Sequence, residues 1–169
     1  MFTPRSCLQI ISGHLNLNLF PLTKTEKFRG LILHTANDNR ALLVRLVVGL
    51  IFLSEGIQKF LFPELLGPGR FEKIGFSDPA FWAYFTGTFE ILCSTLLLIG
   101  LLARPASIPL FIIMITAFIT TKWPLLVSKG FWTFAHEYRT DFAMTLLLIY
   151  LLIYGAGNWS VDSKYLNHL

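Results

Sequence analysis

The chain has 169 residues, of which 54% are hydrophobic and only 14% charged, with a mean hydropathy of +0.60. That balance excludes an ordinary soluble domain and points to the membrane class. The formal net charge is +4, but the basic residues are scattered with no dense run, so they read as topology signals and no nucleic-acid partner is expected.

Residues 1–40 have mixed polarity. The apolar residues from Leu8 to Phe20 are broken by Ser12, Gly13, His14, Asn16 and Asn18, so no continuous signal-peptide core forms. A flexible, poorly ordered N-terminal extension is the expectation. An interfacial helix, or extra sequence ahead of a true start near Leu31 or Leu33, are the alternatives.

The first long apolar stretch runs over about residues 41–62 and carries Arg45, Glu55, Gln58 and Lys59. Each charge near the centre of a membrane helix costs roughly 2.5–3.5 kcal/mol on an insertion scale, so these groups should face protein or water. At ~100° per residue, Arg45, Gly49, Phe52, Gly56 and Lys59 fall on one stripe, with Glu55 and Gln58 beside it. Arg45 and Lys59 can then reach opposite interfaces. Pro63 ends this helix, and Gly67-Pro68-Gly69 leads into a polar loop with Arg70, Glu72, Lys73 and Asp78. No lysine and Ser/Thr follow at phosphate-loop spacing.

A second span is expected over about 80–102, opening with the interfacial aromatics Phe81, Trp82, Tyr84 and Phe85. Ala83, Gly87, Glu90 and Ser94 make a small-residue face around one carboxylate near the bilayer middle. Gly49, Gly56, Gly87 and Ser94 are therefore the helix-packing positions. Arg104-Pro105 forms a short turn into a third span, about 106–123, with Pro109 in its first turn or so and Thr116, Thr120 and Thr121 bonding back to their own helix. The aromatic connection from Lys122 to Glu137 lies along the interface, interrupted by Pro124 and Gly130. It delivers His136, Glu137, Arg139 and Asp141 to a fourth span, about 138–157, followed by a C-terminal tail over 158–169. Asp141, placed near a helix start, could serve as a cap or in chemistry.

Four spans put both termini on one side. Arg5, Lys24, Lys27, Arg29, Arg40, Arg104 and Lys164 weight that side as cytoplasmic. Glu55, Gln58, Lys59, Glu90, His136, Arg139 and Asp141 then converge on one polar intramembrane site opening outward. In it Glu55 pairs with Lys59 one turn away, and Arg139 serves Glu90 or Asp141. The competing reading is a set of interhelical pairs that only fix packing.

Several chemistries lack their residues. Cys7 and Cys93 stand far apart with no Cys-x-x-Cys, His136-Glu137 has no second histidine four residues after the first, and no metal site is expected. Cys93 and Ser94 face different sides of their helix, and neither is matched with a histidine base.

The run Leu43-Val44-Arg45, then Gly49, then Glu55-Gly56-Ile57-Gln58-Lys59 resembles the first helix of DoxX-like membrane proteins. Glu90 with the leucine-rich run to Gly100-Leu101-Leu102 and Arg104 is similar to their second span. The resemblance covers about residues 42–157. Ser94 stands where relatives usually have glycine, and Glu55 where histidine or another polar residue is common. The resemblance implies an all-α, integral membrane four-helix bundle of the bacterial cytoplasmic (inner) membrane. No cofactor is evident in the residues themselves; some relatives are counted as subunits of quinone-linked oxidoreductases, so the resemblance implies a quinone as the candidate cofactor and a redox enzyme as the candidate partner protein beside the lipid bilayer. Three functions stay open: a component of a redox or quinone-linked membrane system, a non-catalytic scaffold that docks a partner, and a small-molecule or proton permease. The permease is disfavoured because no inverted repeat or broken helix is evident.

Overall fold

The computed structural model describes residues 39–166, which are helical or in short turns and contain no strand. The extension expected over residues 1–40 lies outside them apart from its last two residues. Helix α1 spans Arg40–Leu61 and stops ahead of Pro63, as that residue dictates. The next segment, expected as a plain polar loop, contains a short helix α2, Pro68–Ile74. Proline at its first position suits a helix start, and Gly75 at φ +93° ends it in a conformation that glycine adopts without strain. Helix α3, Pro79–Ile99, starts in the same way, with the Asp78 carboxylate accepting from the Phe81 N–H at 3.3 Å.

The second half departs further from expectation. Helix α4 begins at Ala103 and runs to Ala117, so Pro109 lies in its second turn, inside the helix. A wide π turn follows over Phe118–Lys122, and α5, Trp123–Lys129, continues in the same direction. Pro124 supplies the reason: it has no N–H for the Thr120 carbonyl and its ring crowds that group, so the ladder widens just before it. The Trp123 N–H reaches back to the Phe118 carbonyl, five residues away. Residues expected along the interface thus extend the third helix, and the chain reverses at Gly130, φ +81°. Helix α6 spans Phe131–Tyr154, and a short α7, Val161–Leu166, occupies the expected tail. Asp141 therefore sits well inside α6 and caps nothing.

Among the described residues three helices are long and apolar enough to cross a membrane: Arg40–Leu61, Pro79–Ile99 and the continuous Ala103–Lys129. Helix α6 is 24 residues long, but Glu137, Arg139 and Asp141 crowd its first half. The long helices pack in a ring in which α1 meets α3, α3 meets α4, α4 meets α6 and α6 meets α1. The α1–α3 contact is the most extensive, and its cause is the small-residue stripe. A Cβ on Gly56 would lie 3.0 Å from the Gly87 carbonyl oxygen, and one on Gly87 would lie 2.9 Å from the Phe60 ring. The backbones meet where neither chain carries a side chain, so van der Waals contact can drive association without help from water. Leu43, Leu50, Ile119, Leu146 and Ile153 face outward, as a lipid-exposed surface requires.

The bundle is solid at one end. Val48, Leu97, Leu110, Leu148 and Leu151 are fully buried there in one apolar cluster. Arg45 closes that end. Instead of reaching for the interface it is buried, and its guanidinium donates to the carbonyls of Leu97 at 3.0 Å, Ala156 at 2.7 Å, Trp159 at 2.9 Å and, more weakly, Leu98 at 3.5 Å. Carbonyls at the α3 C-terminus lack their regular partners one turn on, although Leu97 still accepts from the Gly100 N–H at 3.1 Å, so a cation there answers both hydrogen bonding and the helix dipole. Asp162 does the converse for α4, accepting from the N–H groups of Leu102 at 2.8 Å and Ala103 at 3.1 Å. The expected tail is thus a clasp that ties α1, α3, α4 and α6 together.

Candidate functional site

The Lys59 end of the ring is hollow. A cavity of about 690 Å³ lies among α1, α2, α3, the α4–π segment and α6. From Pro79 to Glu90 at ~1.5 Å per residue is roughly 16 Å, so the cavity extends to about the middle of α3. Its apolar walls come from Phe52, Phe71, Ile74, Trp82, Phe85 and Met144.

Two ion pairs stand on opposite walls. Lys59 of α1 donates to a Glu90 carboxylate oxygen of α3 at 2.5 Å, with side chains only 11% and 4% exposed. Lys122, the last residue of the π turn, lies 3.2 Å from an Asp141 oxygen of α6 and donates to the Glu137 carbonyl at 2.9 Å. Each pair ties two neighbouring helices while bordering the same space. The pairing expected within α1 is therefore corrected: Lys59 serves Glu90, and Glu55 is exposed at the cavity with no hydrogen bond or ion pair among the described residues. Asp141 is served by Lys122 in place of Arg139. Long side chains one turn apart on a single helix lose here to an interhelical pair held by close backbone contact.

Of the sequence-derived site residues, Glu55, Lys59, Glu90 and Asp141 line the cavity. Gln58 donates to its own helix at Ser54, 2.8 Å away, and does not line it. His136 and Arg139 are exposed on α6 and are likewise absent from the lining. The packing positions Gly49, Gly56, Gly87 and Ser94 are all buried.

Sequence reasoning missed Arg70, Thr86, Thr121, Lys122, Glu137 and Thr140 as lining residues. Lys122 ends an apolar run directly ahead of Trp123-Pro124, the only sequence signal for a widened turn that would direct it inward. Thr116 and Thr120 bond back to the carbonyls of Ile112 and Thr116 at 2.9 and 2.8 Å, as expected of membrane threonines. Thr86, Thr121 and Thr140 make no such bond among the described residues, and their hydroxyls keep donors and acceptors for a ligand. Among the described residues no group of three or more His, Cys, Asp and Glu side chains could hold a metal ion.

The arrangement offers an apolar chamber with fixed dipoles, within the usual volume range of small-molecule sites, about 300–1,000 Å³. Comparison with known proteins gives it a context. The DoxX family model matches residues 40–123, which carry α1 to the π turn and the whole glycine seam. An uncharacterized membrane protein of Mycobacterium tuberculosis (strain ATCC 25618 / H37Rv) is 48% identical over 139 residues, covering 79% of this chain and 85% of the relative. No solved structure matches the chain. With the seam helices inside the family match and a relative aligned along most of both chains, this membrane protein belongs to the DoxX family.

Proposed function

We propose that this protein is a multi-pass component of a redox system in the bacterial cytoplasmic membrane, and that its cavity seats a membrane-borne quinone. In this reading α6 crosses the bilayer as the fourth span, its charged first half facing the cavity and the outer surface. Both termini lie in the cytoplasm and the hollow end faces outward. The observation that carries the reading is the cavity itself, which sets apolar walls beside two lysine–carboxylate pairs.

The residues fit such a group. Phe71, Trp82 and Phe85 offer ring surfaces for a flat head, and Lys59, Lys122 and the unpaired threonine hydroxyls offer donors for its two oxygens. A bound quinone supplies two-electron, two-proton chemistry. The chain's own contribution is to orient the head, exclude bulk water and keep proton-carrying carboxylates, Glu90 and Asp141, at the cavity wall. Electrons come from a partner redox protein. The solid Arg45 end argues against a permease, because the cavity is blind toward that side.

Purification from native membranes in mild detergent, followed by extraction and chromatography, tests the reading. About one quinone per chain is expected, with retention lost in Glu90→Gln and Lys59→Met variants that stay monodisperse. Quinone-free protein that also fails to take up an added short-chain quinone overturns it. A second reading, a scaffold docking a partner, is favoured by the exposed aromatic cluster at the α5–α6 reversal, where Trp132 is 83% and Phe131 60% exposed. Under that reading a partner co-purifies with quinone-free protein, and Trp132→Ala releases it.

A further inference from the structure

The cavity has a roof that the sequence presents as a loop. Helix α2 turns Arg70, Phe71 and Ile74 toward the chamber, while Glu72 and Lys73 are exposed. Phe71 and Phe76 have ring centroids 5.3 Å apart, and Phe76 continues the contact to Trp82 at 6.0 Å, which seats α2 against the start of α3. The roof is held closely at its entry. A Cβ on Gly69 would lie 2.3 Å from the Glu64 carbonyl oxygen, so only glycine permits that approach, and it fixes the backbone immediately before Arg70.

Arg70 differs from the other two cations of the cavity. Lys59 and Lys122 are engaged with carboxylates, whereas Arg70 is half-buried and makes no hydrogen bond or ion pair among the described residues. A guanidinium carries five N–H donors in a rigid plane and no acceptor, and it is well matched to paired oxygens. Thr86, on the facing wall of α3 one turn from Glu90, keeps a free hydroxyl. The exposed carboxylates Glu55 and Glu137 can be solvated at the rim, while the guanidinium is held under the roof.

We propose that Arg70, assisted by Thr86, is the recognition residue of the cavity, and that its ligand is an amphiphile whose head only accepts hydrogen bonds: a ring carbonyl or a phosphate oxygen on an apolar body. This rests on the reading that the cavity binds a membrane-borne molecule, and it adds the α2 roof to the Lys59–Glu90 wall as the contact that recognises the head. Two sources share that chemistry, a quinone and an anionic phospholipid.

The test uses the full chain in detergent, with Trp82 as the sole tryptophan after Trp123, Trp132 and Trp159 are changed to phenylalanine. Its fluorescence reports titration with a short-chain naphthoquinone in one arm and dodecyl phosphate in the other. Because a hydrogen bond to a charged group contributes on the order of 1.5–3 kcal/mol, Arg70→Gln should weaken the better probe roughly ten- to a hundred-fold. Arg70→Lys should fall between, Thr86→Val should weaken it several-fold, and Lys73→Gln on the outer face of α2 should leave it unchanged. The arm that binds more tightly identifies the source. If the parent protein binds a probe and neither Arg70 variant nor Thr86→Val weakens it, the assignment to α2 is overturned while cavity binding stands. If the parent binds neither probe, the underlying reading fails as well.

Discussion

The Lys59–Glu90 pair permits a quantitative test of how this bundle holds charge. Both groups are nearly excluded from solvent and 2.5 Å apart, on helices whose backbones touch at Gly56 and Gly87. Lys59→Met leaves a carboxylate in a dry wall, and Glu90→Leu leaves an ammonium there. Removing one partner of a buried pair typically costs roughly 3–5 kcal/mol. Replacing both with apolar residues of similar size removes the desolvation penalty together with the attraction, and such swaps are often neutral or stabilising by about 1–4 kcal/mol. The double variant Lys59→Met/Glu90→Leu should therefore lie close to the parent, which makes the coupling energy between the sites roughly 6–10 kcal/mol, the sum of the two single losses. The assay is reversible unfolding in mixed micelles, followed by helical circular dichroism. Single variants each within about 1 kcal/mol of the parent, or a double variant that equals their sum, would refute the reasoning and place both groups in water. If the cavity seats a quinone as proposed, the double variant should also lose its retention, which separates the pair's role in the site from its role in the fold.

Other consequences can be measured on the same preparation. Lys122→Met should cost only about 1 kcal/mol, because Asp141 is 30% exposed and keeps access to water. Arg45→Met should cost roughly 3–5 kcal/mol, since it strips buried carbonyls of a charged donor and leaves Asp162 without a nearby cation; limited proteolysis should then cut first after residue 155. Gly56→Ala should cost about 1–3 kcal/mol through overpacking, because the added methyl meets the Gly87 backbone, while Ile119→Ala on the lipid face should change unfolding by less than about 1 kcal/mol.

The α1–α3 seam was legible in the sequence because helical periodicity placed Gly49, Gly56, Gly87 and Ser94 on facing stripes, and close packing leaves little alternative. Glu90 was legible for the same reason: a carboxylate centred on that stripe must be buried. Its partner was not, since Lys59 has equal reach to Glu55 along α1 and the choice depends on how nearly two backbones approach. The continuation of the third helix through Pro124 was hidden because proline ordinarily ends a helix, and a π turn leaves no fixed residue signature. That single misreading displaced the start of α6, made Asp141 look like a cap and drew His136 and Arg139 into a site that they do not line. Arg70 was obscured by its surroundings, a glycine- and charge-rich segment with the composition of an exposed loop.

The division of the bundle into a solid end and a hollow end separates two kinds of evolutionary constraint. Side chains around Arg45 are locked to one another, so change there must be coordinated or is lost with the fold. Side chains around the cavity are packed by protein on one side only, and many can be exchanged singly with little penalty. New ligand preferences can therefore arise at the Lys59 end by point substitution while the scaffold stays intact, which also makes this small bundle a practical starting point for engineering intramembrane binding sites.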